Sequence, residues 1–181
     1  FPKTDLKADS KAAGRWETSA GGEYFAAGVG AAVTGRGADL FIIDDPHSEQ
    51  DAMSEGRLEE AYEWYTSGPR QRLQPGGKII VVMTRWGLRD LTGRLIKAQG
   101  SDVLADQWEV VEFPAILPSE KPLWPEFCTK DDLLKVKASL PVQKWGAQWQ
   151  QQPTAEEGAI VKKDWWQIWK KEEIPQVDYI I

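Results

Sequence analysis

Asp44 and Asp45 stand side by side at the end of an uninterrupted apolar run, Leu40-Phe41-Ile42-Ile43. Adjacent carboxylates are hard oxygen ligands, suited to holding Mg²⁺ and polarising a water beside a phosphate. The same pair suits a helix N-cap, because Asp is a favoured capping residue and proline, here Pro46, opens helices well. The residue types leave both roles open, and one acid can serve each. Thr84 closes a second apolar run, residues 78–83, where a small hydroxyl could sense a terminal phosphate or its water. Threonine is also common at strand ends for no chemical reason. Arg85 and Arg89 can pair with phosphates, but surface salt bridges account for most such arginines.

Other chemistries fit less well. Gly30-Ala31-Ala32-Val33-Thr34-Gly35-Arg36-Gly37 nearly matches a phosphate-binding loop, with Arg for the usual Lys and Gly for the usual Ser or Thr. Such a loop must open a helix whose N-terminus helps hold the anion. Here an apolar strand follows Gly37 almost at once, so a glycine-flexed turn bearing one arginine remains. His47 and Cys128 are the only histidine and cysteine, which disfavours a zinc cluster and rules out an internal disulfide framework. No G-x-S-x-G elbow is present for a serine hydrolase. The tryptophans between Trp145 and Trp169 could stack on bases, but their helical spacing reads as packing. A net charge of −6 makes any DNA contact local, or a property of segments outside this sequence. No apolar run approaches the length of a membrane span.

The elements that must position these groups follow from pattern. A run without alternation suits a strand buried on both faces of a parallel sheet, and ligands bind outside the carboxyl ends of such strands. Residues 15–30 predict a hairpin turning at Gly21-Gly22. Residues 54–67 predict a helix with Leu58, Ala61, Tyr62 and Tyr65 on one face, ended or kinked at Gly68-Pro69. Pro75-Gly76-Gly77 reads as a turn before the 78–83 strand, 90–98 as a helix with Leu91, Leu95 and Ala98 inward, and 108–113 as a third strand. Thr129 with Asp132 resembles a helix cap, and Pro141 opens a helix with Trp145 and Trp149 on one side. Residues 150–158 read as a linker, and Asp164 as the cap of a short helix bearing Trp165, Ile168 and Trp169. The alternation predicts an α/β fold. Both ends read as cuts, with Val177-Asp178-Tyr179-Ile180-Ile181 like the first half of a strand, so a piece of a longer polypeptide is expected.

Several spaced segments together resemble one family. Gly28-Val29-Gly30, then Thr34-Gly35-Arg36-Gly37-Ala38-Asp39-Leu40-Phe41-Ile42-Ile43-Asp44-Asp45-Pro46, is similar to the Walker B region of large terminase subunits of tailed bacteriophages and prophages. Leu73-Gln74-Pro75-Gly76-Gly77, Met83-Thr84-Arg85-Trp86, Leu123-Trp124-Pro125-Glu126 and Gln150-Gln151-Gln152-Pro153 follow in that family's order.

The resemblance implies a DNA-packaging motor. Residues 1–149 would be the C-terminal part of a P-loop NTPase domain of the ASCE type, without its phosphate-binding loop, and 150–181 a linker toward an RNase H-like nuclease domain. Asp44 would coordinate Mg²⁺ beside ATP. Asp45 would orient the attacking water, one methylene shorter than the Glu that many relatives carry. Thr84 would couple hydrolysis to movement, and Arg36 or Arg85 would stabilise charge on the γ-phosphate, across a ring interface in one arrangement. The implied partners are double-stranded DNA, the portal protein, the small terminase subunit and further copies in a ring. The implied location is the host cytoplasm, transiently at the procapsid portal. Two rival expectations stand beside it: a metal-dependent nuclease or phosphatase using Asp44 and Asp45 directly, and a non-catalytic assembly module.

Overall fold

The computed structural model describes residues 4–31 and 35–154. The expectations for Thr34, for the linker beyond Thr154, for the helix capped by Asp164 and for the strand at 177–181 lie outside the described residues. Two compact units divide the chain between Glu112 and Phe113.

The first unit opens with an antiparallel sheet of β1 (Leu6–Ala12), β2 (Arg15–Thr18) and β3 (Glu23–Phe25), in that order. The β2–β3 hairpin is the expected one. Trp16 lies opposite Tyr24 with the rings stacked at 4.8 Å, and Gly21 takes the left-handed turn at φ +88. β1 has no clear pattern of its own and is recruited by pairing with β2.

A second sheet pairs β4 (Ala38–Asp44) with β5 (Leu73–Val82) in parallel. Parallel neighbours need a long crossover, and α1 (Glu49–Ala52), α2 (Glu55–Ser67) and α3 (Pro69–Arg72) supply it. Ser54 caps α2 by accepting from the Arg57 N–H, and Gly68 ends it. Pro69 then opens α3, where its missing N–H costs nothing. After β5 comes α4 (Leu91–Ser101), capped by Asp90. Ile43, Tyr65, Leu91 and Leu95 form the core, with Phe41, Ile79, Val81 and Trp108 packed against them. The chain is thus a mixed α/β protein whose two parallel strands are backed by helices.

Three expectations are corrected. The apolar strand is buried on one face only. The register directs Phe41, Ile43, Ile79 and Val81 to the helices and leaves Leu40, Ile42, Ile80 and Val82 exposed: Ile43 is 3% accessible and Ile42 58%. Residues 108–113 form no strand. Trp108 packs beside Tyr65 and donates its N–H to Gln99 Oε1, whereas Val110 and Val111 lie exposed with no neighbouring strand among the described residues. Pro75-Gly76-Gly77 lies within β5, beside a register shift against β4, with Gly76 at φ +81.

The second unit is held by α5 (Lys130–Ser139), capped by Thr129 as expected, and by α6 (Val142–Lys144), which runs into a π-helical turn, Trp145–Trp149. That turn stacks Trp145 on Trp149 at 5.6 Å. The sequence's 149/150 boundary falls inside this unit. Gln150 accepts from and donates to the backbone of Ile116, both at 3.0 Å, and Gln151 accepts from the Phe113 N–H at 2.9 Å. No described helix is long and apolar enough to cross a membrane.

One-sided burial has a measurable consequence. Ile43→Ala is expected to cost about 2–5 kcal/mol in urea denaturation. Ile42→Thr and Ile80→Thr should stay within about 0.5 kcal/mol of the parent, and comparable losses would contradict the register. A second expectation concerns Glu59, which pairs with Arg94 while that guanidinium stacks 4.2 Å over the Tyr62 ring. The hydrogen bond from Arg94 holds the Glu59 carboxyl below its ordinary 4.5. The stability it lends is therefore present at neutral pH and lost as pH falls through that lowered value. The urea midpoints of the parent and Glu59→Gln should differ at pH 7 and converge in acid.

Candidate functional site

Because β4 and β5 run parallel, their carboxyl ends lie side by side, and the chemical candidates gather there. Asp44 is the last residue of β4, opposite Val82. It is exposed, and its carboxylate has no hydrogen bond or ion pair among the described residues. Asp45 turns the chain away. Its N–H donates to the Val82 carbonyl at 2.9 Å and its φ is +41, a left-handed conformation that Asp tolerates better than most residues. One carboxylate oxygen, Oδ1, accepts the Thr84 N–H at 3.1 Å. Asp44, Asp45 and Thr84 thus come together, and the second oxygen of Asp45 is left for a water or a ligand.

The two candidate arginines are placed differently. The Arg85 side chain is 12% accessible and its Nε donates to both oxygens of Asp90, at 2.9 and 3.2 Å; Nη2 donates to the Gly87 carbonyl at 3.3 Å. The guanidinium is engaged inside the protein. Arg36 precedes β4, whereas the acid pair stands at its far end, so a strand of about 20 Å separates them within one chain. There Arg36 pairs with Glu23 and stacks 4.5 Å over the Phe25 ring. Arg89 pairs with Glu55.

Two residues whose part here the sequence did not indicate, Asp90 and His47, organise this corner. Asp90 is fully buried and caps α4 through the Gly93 N–H at 2.8 Å. It also accepts from the backbone N–H groups of Trp86 and Gly87, at 2.9 and 3.2 Å. Its only sequence signal was its place before an apolar-periodic segment, the mark of a cap. Gly93 is required beside it, since a Cβ there would lie 2.2 Å from the Leu88 carbonyl oxygen. His47, 4% accessible, accepts the Leu91 N–H at Nε2, 2.9 Å away. A backbone N–H can only donate, so Nε2 is the bare nitrogen and Nδ1 carries the proton. Burial lowers the basicity of His47 despite the nearby carboxylates of Asp90 and Asp51, which favours that neutral ring. Nothing in the local sequence announces this contact, which joins residues far apart in the chain.

Among the described residues no three His, Cys, Asp or Glu side chains converge as a metal cage. Mg²⁺ does not require one. It commonly takes one or two carboxylates and completes its shell with waters and substrate phosphates. The exposed, uncommitted carboxylate of Asp44 fits that mode.

No protein-family model matches the chain, and no curated protein matches it.

Asp90→Ala strands a nearly buried guanidinium and removes the acceptor of three backbone N–H groups. The expected loss is about 3–5 kcal/mol in chemical denaturation, the magnitude for breaking a buried ion pair on one side. A loss below about 1 kcal/mol would show that the network contributes little beyond an ordinary surface pair.

Proposed function

We propose that this chain carries the hydrolytic acid pair and the coupling segment of an ATP-driven DNA-packaging motor of the large-terminase type. One observation carries the reading. The Asp45 carboxylate and the Thr84 backbone are hydrogen-bonded across the carboxyl ends of two parallel strands, next to an uncommitted Asp44. A finer fold belongs to the same proposal: an ASCE-type NTPase sheet whose phosphate-binding loop, and whose nuclease domain, lie in other parts of the polypeptide.

In this reading Asp44 holds Mg²⁺, which when bound neutralises charge on the phosphates. Asp45 keeps one oxygen on the Thr84 N–H, so its other oxygen is oriented to accept a hydrogen bond from the attacking water. Thr84 registers that position, because any shift of Asp45 moves its own amide. Arg85 supports the strand end through Asp90, so the charge-stabilising arginine is better sought in Arg36 of a neighbouring copy or elsewhere in the polypeptide. Double-stranded DNA, the portal, the small subunit and a ring of copies are the partners this proposal brings with it. A metal-dependent nuclease is less well supported, as no third acid joins the pair among the described residues. An assembly module is favoured only by the uncovered apolar sheet face at Leu40, Ile42, Ile80 and Val82.

The test is Mg²⁺-dependent ATP hydrolysis by the polypeptide extended in both directions. Asp44→Ala and Asp45→Ala should each lower turnover by at least about a hundredfold. Unchanged turnover would reduce the pair to a structural role and leave the assembly module. The 181-residue chain alone is expected to give little or no turnover. Hydrolysis by it, abolished by Asp45→Ala, would refute the need for the missing loop.

A further inference from the structure

The segments around the acid pair form a closed circuit. Asp45 is bonded to Val82 and Thr84 at the end of β5. The chain then passes through Arg85, Trp86 and Gly87, all three held by the Asp90 carboxylate. Asp90 leads into Leu91, whose N–H reaches back to His47, two residues beyond Asp45. Six hydrogen-bonded pairs and the covalent chain between them close the loop. Three of its members, His47, Asp90 and Leu91, are buried, so water does not compete for these bonds.

We propose that His47 is a positioning residue: by accepting the Leu91 N–H it latches the segment after the acid pair to the first turn of α4, so that Asp45 and that helix move as one body. This deepens the hydrolase reading and rests on it for its consequence, since a change at the Asp45 carboxylate would then reach α4 through His47. The latch itself needs no nucleotide. It depends on an acceptor atom at residue 47 rather than on the bulk of a ring, and on a donor at the helix N-terminus, where the first N–H groups have no partner within the helix.

Amide hydrogen exchange on the 181-residue chain tests it without ATP. His47→Phe keeps a buried ring and removes the acceptor, while His47→Gln restores a carbonyl oxygen. In His47→Phe the Leu91 and Thr84 amides should both exchange about tenfold faster, the equivalent of one lost buried hydrogen bond. The Ile80 and Tyr65 amides should stay within about twofold, and His47→Gln should return Thr84 to within about twofold of the parent. Acceleration at Leu91 alone would overturn the proposal, because His47 would then be a local cap uncoupled from Asp45. Uniform acceleration would overturn it too, as the mark of general destabilisation. If His47→Phe does not fold, His47→Gln decides. Protection at both Leu91 and Thr84 supports the latch, and its loss at Thr84 with Leu91 still protected overturns it. Absence of ATP turnover in the extended polypeptide would refute the hydrolase reading and leave these outcomes unchanged.

Discussion

The carboxylate of Asp90 is the constraint on which the corner of this molecule depends. A fully buried carboxylate is costly to desolvate, by several kcal/mol even after relaxation, unless charge and hydrogen bonds answer it. Here one guanidinium and three backbone N–H groups do so together. Each donor fixes something different. Arg85 and the Trp86 and Gly87 amides set the path of the chain as it leaves β5, and the Gly93 amide sets the start of α4. Without the shared acceptor, the end of the strand and the beginning of the helix would be independent choices. With it, they are one, and the Leu91 amide is delivered to His47 as a result.

Much of the fold was legible because it is written locally. The Thr129 cap, the stop at Gly68-Pro69 and the one-faced apolar pattern of α2 are encoded within a few neighbouring residues. The β2–β3 hairpin announced itself through the Gly21-Gly22 turn, and the parallel pair through its apolar runs. The gathering of Asp44, Asp45 and Thr84 at neighbouring strand ends followed from the parallel arrangement. What was not legible depends on partners distant in sequence. His47 and Leu91 are joined across the whole crossover, and the residues around Arg85 do not indicate that its guanidinium is taken up by a buried Asp90. Apolar content suited 108–113 to a strand, but a strand is defined by a neighbour, and among the described residues that segment has none.

The sheet illustrates the difference between pattern and context. Leu40, Ile42, Ile80 and Val82 are as apolar as the residues beneath them, and a run of that kind reads as buried on both faces. Among the described residues, only one face meets helices. Parallel strands carry such runs because crossovers normally cover both sides, so the exposed face is a departure from the rule and not a property of the residues. The same β4–β5 register that buries Phe41 and Ile43 places Asp44 on the uncovered side, opposite Val82. Burial on one face and exposure of the first acid are therefore a single consequence of side chains alternating along a strand.

The second acid escapes that alternation. Had Asp45 continued β4, its side chain would have joined Phe41 and Ile43 on the face toward the core, where an uncompensated carboxylate is expensive. The left-handed turn at φ +41 takes it out of the strand while its N–H still bonds to Val82, so the ladder gains one more link as the chain departs. Backbone in this region costs of order 1–3 kcal/mol and persists only where neighbours over-determine it. Here the neighbours are the Thr84 amide on the carboxylate and, two residues on, the buried imidazole of His47. The strained residue is thereby held from both sides of the peptide it turns. Two adjacent acids leave one strand in different ways, the first by alternation and the second by a turn, and this is how identical side chains acquire different surroundings.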